Sequence, residues 1–158
     1  MFPFKSLRYP TPEQNKVWFK RHKGAAPSEI AVELGVSRPY VSQAQRIAEK
    51  RIERLLRHAA SVNRIELEHI SPQHGIAVGE CPALHTTAYF TYTSGMGVQT
   101  WYRHVGNCEV CDKASDCRTV LETLSEEWDI VLPENLPPTE MGMQIFSRIM
   151  EELEWKSD

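Results

Sequence analysis

All four cysteines of the chain lie between Cys81 and Cys117, in the order C-x26-C-x2-C-x5-C: Cys81, then Cys108-Glu-Val-Cys111-Asp-Lys-Ala-Ser-Asp-Cys117. No other feature constrains the fold as strongly, because one inorganic site on all four thiols requires residue 81 to be returned to the side of residue 108. A reducing compartment disfavours structural disulfides and leaves metal binding or redox chemistry for thiols spaced in this way. That compartment is the expectation here. The N-terminal Met-Phe-Pro-Phe-Lys-Ser-Leu-Arg-Tyr-Pro has no apolar run of signal-peptide length, and no later stretch approaches a membrane span, so a cytoplasmic protein with no membrane partner is expected.

The apolar fraction of 41% suits an ordinary globular chain, and 158 residues leave room for one compact domain or two small ones. The net charge of −3 conceals a partition: residues 1–60 carry 12 Lys and Arg against 5 Asp and Glu, whereas residues 61–158 carry 6 against 16. A basic module that faces nucleic acid, joined to an acidic regulatory one, is the expected organisation.

Thr11-Pro12-Glu13-Gln14 predicts a helix start, with Thr11 as N-cap, proline in the first turn and Gln14 completing a capping box. Val17 and Trp18 lie on its apolar side, and Gly24 follows its end. Pro27 and Ser28 open a shorter helix that buries Ile30, Ala31 and Leu34. After Gly35, Ser37 is placed to cap a third helix with Pro39 in its first turn. Val41, Ala44, Ala48, Ile52, Leu55, Ala59 and Val62 recur every three or four residues, so this helix is expected to run about six turns.

The segment Glu29-Ile-Ala-Val-Glu-Leu-Gly-Val-Ser-Arg-Pro-Tyr-Val-Ser42 resembles helix-turn-helix domains, in particular region 4 of bacterial sigma factors and the Tfx-type archaeal regulators. The resemblance implies double-stranded DNA as partner, with RNA polymerase a further one. It places the start of the third helix in the major groove, where Arg38, Tyr40, Ser42, Gln43 and Arg46 reach bases or phosphates. Arg reads guanine and Gln adenine, while Ser and Tyr more often hold phosphate. Lys20, Arg21 and Lys23, with Lys16, are the expected backbone contacts.

Asn63–Ile70 changes to an alternating pattern and predicts a strand, broken by Ser71-Pro-Gln-His-Gly75. Thr86–Thr93 and Val98–Val105, separated by Ser94-Gly-Met-Gly97, predict a β-hairpin whose ends bring Cys81 near Cys108. Asp112 or Ser115 is expected to cap a helix reaching about Trp128, with Cys117, Leu121, Leu124 and Trp128 on one face. A proline-rich linker precedes a last helix whose apolar face, Met141, Ile145, Phe146 and Ile149, packs within the chain or forms a homodimer. The expected class is α+β: a helix-turn-helix domain over residues 1–62, a β-hairpin and helix domain built on the four-cysteine site over 63–131, and a linker with an amphipathic helix over 132–158.

Two occupants suit Cys81, Cys108, Cys111 and Cys117. Zinc takes tetrahedral thiolate or thiolate–imidazole sets, usually from paired C-x2-C knuckles, of which there is one here. His85 and His104 can replace a thiolate, although four cysteines complete the shell without them. An iron–sulfur cluster does not need paired knuckles. C-x2-C-x5-C after one distant cysteine resembles the [4Fe–4S] pattern of WhiB-like regulators, and is also similar to the spacing in Fnr-type oxygen sensors, although the WhiB-like Gly-Val-Trp-Gly turn is missing. That resemblance implies a [4Fe–4S] cluster that senses redox state, oxygen or nitric oxide, with structural zinc as the alternative. Radical-enzyme spacing, P-loops, nucleotide-binding glycine motifs and zinc-hydrolase helices are absent from the sequence, so a non-enzymatic regulator is expected.

Overall fold

The computed structural model describes residues 7–155; the start of the N-terminal leader (1–6) and the end of the C-terminal segment (156–158) lie outside the described residues. Helices α1 (Pro12–His22), α2 (Pro27–Leu34) and α3 (Arg38–Val62) are followed by strands β1 (Glu66–Ser71), β2 (Ile76–Cys81), β3 (Thr86–Thr93) and β4 (Gly97–Tyr102). Helices α4 (Ala114–Glu127) and α5 (Pro138–Glu152) close the chain. The architecture is mixed α and β, as expected.

The helix boundaries follow from local chemistry. Thr11 accepts the Gln14 N–H while the Gln14 side chain accepts the Thr11 N–H, so the expected capping box is formed. Ser37 caps α3 by accepting the Tyr40 N–H at 3.2 Å, with Pro39 in the first turn, where its missing donor costs nothing. The caps expected of Asp112 or Ser115 are not made; Lys113 precedes α4 without a side-chain hydrogen bond.

The expected hairpin is half of a larger sheet. β1 to β4 form an antiparallel meander in sequence order, and residues 76–81, not read as a strand, form its second member. β2 is a central strand, and five of its six residues are buried. It therefore lacks the alternation of apolar and polar residues that marks a half-exposed strand. β4 ends at Tyr102, three residues earlier than the pattern suggests, which leaves His104 outside the ladder.

Both faces of the sheet are covered. On one, Ala77, Cys81, Ala88, Phe90 and Tyr92 pack against Trp18 of α1 and Ala48, Ile52, Leu55 and Leu56 of α3. On the other, Ile76, Val78 and Tyr89 meet Leu121, Leu124 and Trp128 around α4 and Met141, Ile145, Phe146 and Ile149 of α5. The apolar face of α5 is thus used within the chain. A third cluster, Val17, Ile30, Ala31, Val41 and Ala44, locks α1, α2 and the first turns of α3 together.

The packing crosses residue 62. Trp18 donates its indole N–H to the Pro72 carbonyl at 3.0 Å, and Asn15 reaches Ser94 O and the Tyr92 hydroxyl. Gly75 sits at φ +71 in the β1–β2 turn, and a Cβ there would stand 2.6 Å from Tyr92 O and 2.9 Å from the Trp18 ring. Only glycine allows this turn to close onto α1.

Candidate functional site

The α2–α3 turn is built from Gly35, whose φ of 66° and ψ of 35° place it in the left-handed region. Its N–H and that of Val36 return to the last turn of α2, at Val32 O and Ala31 O. The chain then reverses into Ser37 and α3. Ala31, at the crossing of the two helices, is small enough to let them approach closely.

With Val41 and Ala44 turned into the core, Arg38, Ser42, Gln43 and Arg46 are all exposed. Arg38, Ser42 and Arg46 are spaced by four residues and so form one stripe, with Gln43 beside it. This gives a helix face of two guanidinium groups, one amide and one hydroxyl, the donors and acceptors that read base edges and phosphates in a groove wide enough for a helix. The remaining predicted contacts are placed differently. The Tyr40 hydroxyl hydrogen-bonds Glu13, which raises its pKa above the ordinary phenol value. Lys20 is paired with Glu33 at 2.5 Å. Arg21 donates to Gln45 Oε1 at 3.0 Å and to Ala25 O at 2.9 Å, bracing α1 against α3. Lys23 reaches Glu126 O and Asp129 at 2.7 and 2.8 Å, joining the end of α1 to the end of α4. Lys16 is exposed.

The four cysteines are divided between the two faces of the sheet. Cys81 ends β2, pairs with Thr86 across the ladder, and is 5% exposed among the residues that face α3. Cys117 lies in the first turn of α4, whose Leu121 and Leu124 pack on the opposite face. Cys108 stands 3.7 Å from Thr139 Oγ1 at the start of α5, and Cys111 is exposed. Burial, and then the Cys111 and Cys108 thiols, raise the Cys117 thiol pKa above its usual value. Among the described residues, no three His, Cys, Asp or Glu side chains stand at metal-binding separations. The donor chemistry of Cys108, Cys111 and Cys117 fits a thiolate site. Cys81 fits the α3 core instead, and a group on all four cysteines would have to draw it out of that core and off the end of a ladder. Residue 81 does lie at the end of the sheet where β4 finishes, since Cys81 pairs with Thr86 and the neighbouring Thr87 O accepts from Arg103 N at 2.9 Å, but its side chain belongs to the cluster that faces α3.

One cluster was not anticipated from the sequence. At the junction of α1, α4 and the β1–β2 turn, His22 stacks on Trp18 at 5.2 Å and meets the edge of Trp128 at 5.0 Å. Its Nε2 donates to Glu127 O at 3.0 Å, while Nδ1 is buried without a partner. Burial, above all, lowers its pKa to about 4. The Glu127 side chain, also buried, accepts from Ser94 N at 2.7 Å and from the Ser94 hydroxyl, and burial raises its pKa. These groups tie the three N-terminal helices to the sheet and α4. The sequence signal was weak: a histidine one turn after Trp18, and an acidic residue beside Trp128 on an otherwise apolar face.

No helix of the described residues is long and apolar enough to cross a membrane. Compared with protein-family models, with curated proteins and with solved structures, the chain matches none, and the functional reading rests on its own residues.

Proposed function

We propose that this protein is a DNA-binding transcriptional regulator. In this reading, the first turns of α3 enter the major groove of duplex DNA, and the segment from Cys108 to Cys117 holds a metal ion or cluster that adjusts the sheet against that helix. The observation that carries it is the exposed stripe of Arg38, Ser42, Gln43 and Arg46, set immediately after a Gly35 turn and held by a three-helix core. Arg38 and Gln43 are the base readers, and Arg46 and Ser42 hold phosphate. The balance of 12 basic against 5 acidic residues in the first sixty supplies the long-range attraction that a polyanion requires.

Helix α3 also connects this face to the rest of the molecule. Its 25 residues span about 37 Å, with the reading face at one end and Ile52, Leu55 and Leu56 packed on the sheet at the other. A change in how the sheet is held therefore acts on the helix that meets DNA. The test is binding to duplex DNA at several salt concentrations. A steep decrease of affinity with salt is expected, with a weakening of about 1–3 kcal/mol for Arg38→Ala or Gln43→Ala at the preferred site. Binding that is insensitive to salt and to both substitutions would refute the reading.

A further inference from the structure

We propose that the metal centre of this protein is a tetrahedral zinc site formed by His104, Cys108, Cys111 and Cys117, with Cys81 acting as a core residue and not as a ligand. This rests on the reading above that the cysteine segment binds a metal. In sequence the four donors form H-x3-C-x2-C-x5-C, fourteen residues in all. A mixed nitrogen and sulfur set of this kind is one that Zn2+ takes in structural sites.

His104 has the attributes of a ligand. It lies beyond the end of β4 and is exposed, and its Nδ1 is 2.7 Å from the Tyr102 carbonyl oxygen. A carbonyl accepts, so Nδ1 carries the proton, and in the neutral ring Nε2 keeps a free lone pair. A backbone carbonyl fixing one nitrogen while the other faces outward is the arrangement that orients metal-binding imidazoles. The ring lies against Trp101 at 5.2 Å and lines the same cavity as Thr139. Cys108 stands beside that same threonine, so Thr139, at the start of α5, is a neighbour common to His104 and Cys108.

The mechanics favour the same set. Between Arg103 and Lys113 the chain has no helix or strand, and Cys111 N to Cys108 O (3.4 Å) and Ala114 N to Cys111 O (3.3 Å) are turn hydrogen bonds. Backbone rotations in this segment can gather its donors around an ion and leave every sheet ladder intact. Recruiting Cys81 would instead break the last pair of the β2–β3 ladder, with Thr86, and withdraw a buried side chain from the core that α3 shares with the sheet.

The full chain, purified anaerobically, is expected to contain one zinc per molecule. Cys81→Ala is expected to retain it, whereas His104→Ala and Cys111→Ser lower zinc affinity by more than about 100-fold. Because a core substitution at Cys81 can impair folding, the deciding variant is His104→Cys, at an exposed position. Loaded with Co2+, it is expected to show the ligand-field spectrum of four thiolates where the parent shows three thiolates and one nitrogen. An unchanged Co2+ spectrum, loss of zinc on Cys81→Ala in a folded protein, or stoichiometric iron and sulfide in place of zinc would overturn the assignment. A chain that takes up neither zinc nor iron and sulfide, as isolated or after reconstitution, overturns the underlying metal reading itself.

Discussion

Gly35 and His22 carry much of the architecture as single residues. At Gly35 the left-handed backbone makes the turn, and a Cβ there would meet nothing within 4 Å, so only backbone strain opposes a side chain. Gly35→Ala is accordingly expected to lower stability by roughly 1–2 kcal/mol in chemical denaturation, with little change in the slope. At His22 the fold holds the ring neutral, with a pKa of about 4 against an ordinary value of 6.5. Between these values the unfolded chain binds the proton and the folded one does not. Stability is therefore full above about pH 6.5 and falls as pH drops toward 4, by on the order of 2 kcal/mol once the ring's partial exposure is allowed for. Denaturation midpoints across this range should fall less steeply in His22→Phe than in the parent. Some of this scale was legible: the Thr11–Gln14 box, the Ser37 cap and Gly35 are local chemistry that four residues suffice to specify. His22 was not, because its burial depends on Trp128 and Glu127, more than a hundred residues away.

Among the elements, α3 is the most informative. Its apolar repeat from Val41 to Val62 predicted a helix longer than a three-helix module needs, and the excess length is the half that lies on the sheet. Ile52, fully buried where α3 crosses the strands, is expected to cost about 2–5 kcal/mol on replacement by alanine, measurable by denaturant titration. β2 shows the limit of pattern reading. Ile76, Ala77, Val78 and Gly79 are buried in succession and only Glu80 is exposed, so no periodicity marked the strand. Missing it turned a meander into a hairpin and left the burial of Cys81 against α3 unread. The β4 strand ends earlier than its composition suggests: Arg103 still donates its N–H to Thr87 O at 2.9 Å and accepts from the Thr86 hydroxyl at 2.6 Å, and β3 itself begins at Thr86, so His104 and Val105 run past the end of the strand they would pair with.

For the molecule as a whole, packing continues across residue 62, where the sequence suggested a boundary. Trp18 and α3 share a cluster with β2 and β3, and Lys23 and His22 bind the end of α4. The described chain is therefore expected to unfold in a single transition, with tryptophan fluorescence and far-UV circular dichroism giving coincident midpoints. Two separated transitions would indicate that the three N-terminal helices fold independently of the sheet. The charge partition belongs to this scale as well: on the proposed reading, a basic first sixty residues and an acidic remainder would orient the molecule toward duplex DNA.

The central claim is that the start of α3 reads duplex DNA. Selection of binding sites from a random duplex pool by the full chain tests it most directly. The account predicts enrichment of a defined sequence, relaxed at one position by Arg38→Ala and at another by Gln43→Ala, with Arg46→Ala weakening all sites about equally. A pool that yields no preferred sequence, or a preference unchanged by Arg38→Ala and Gln43→Ala, would contradict it.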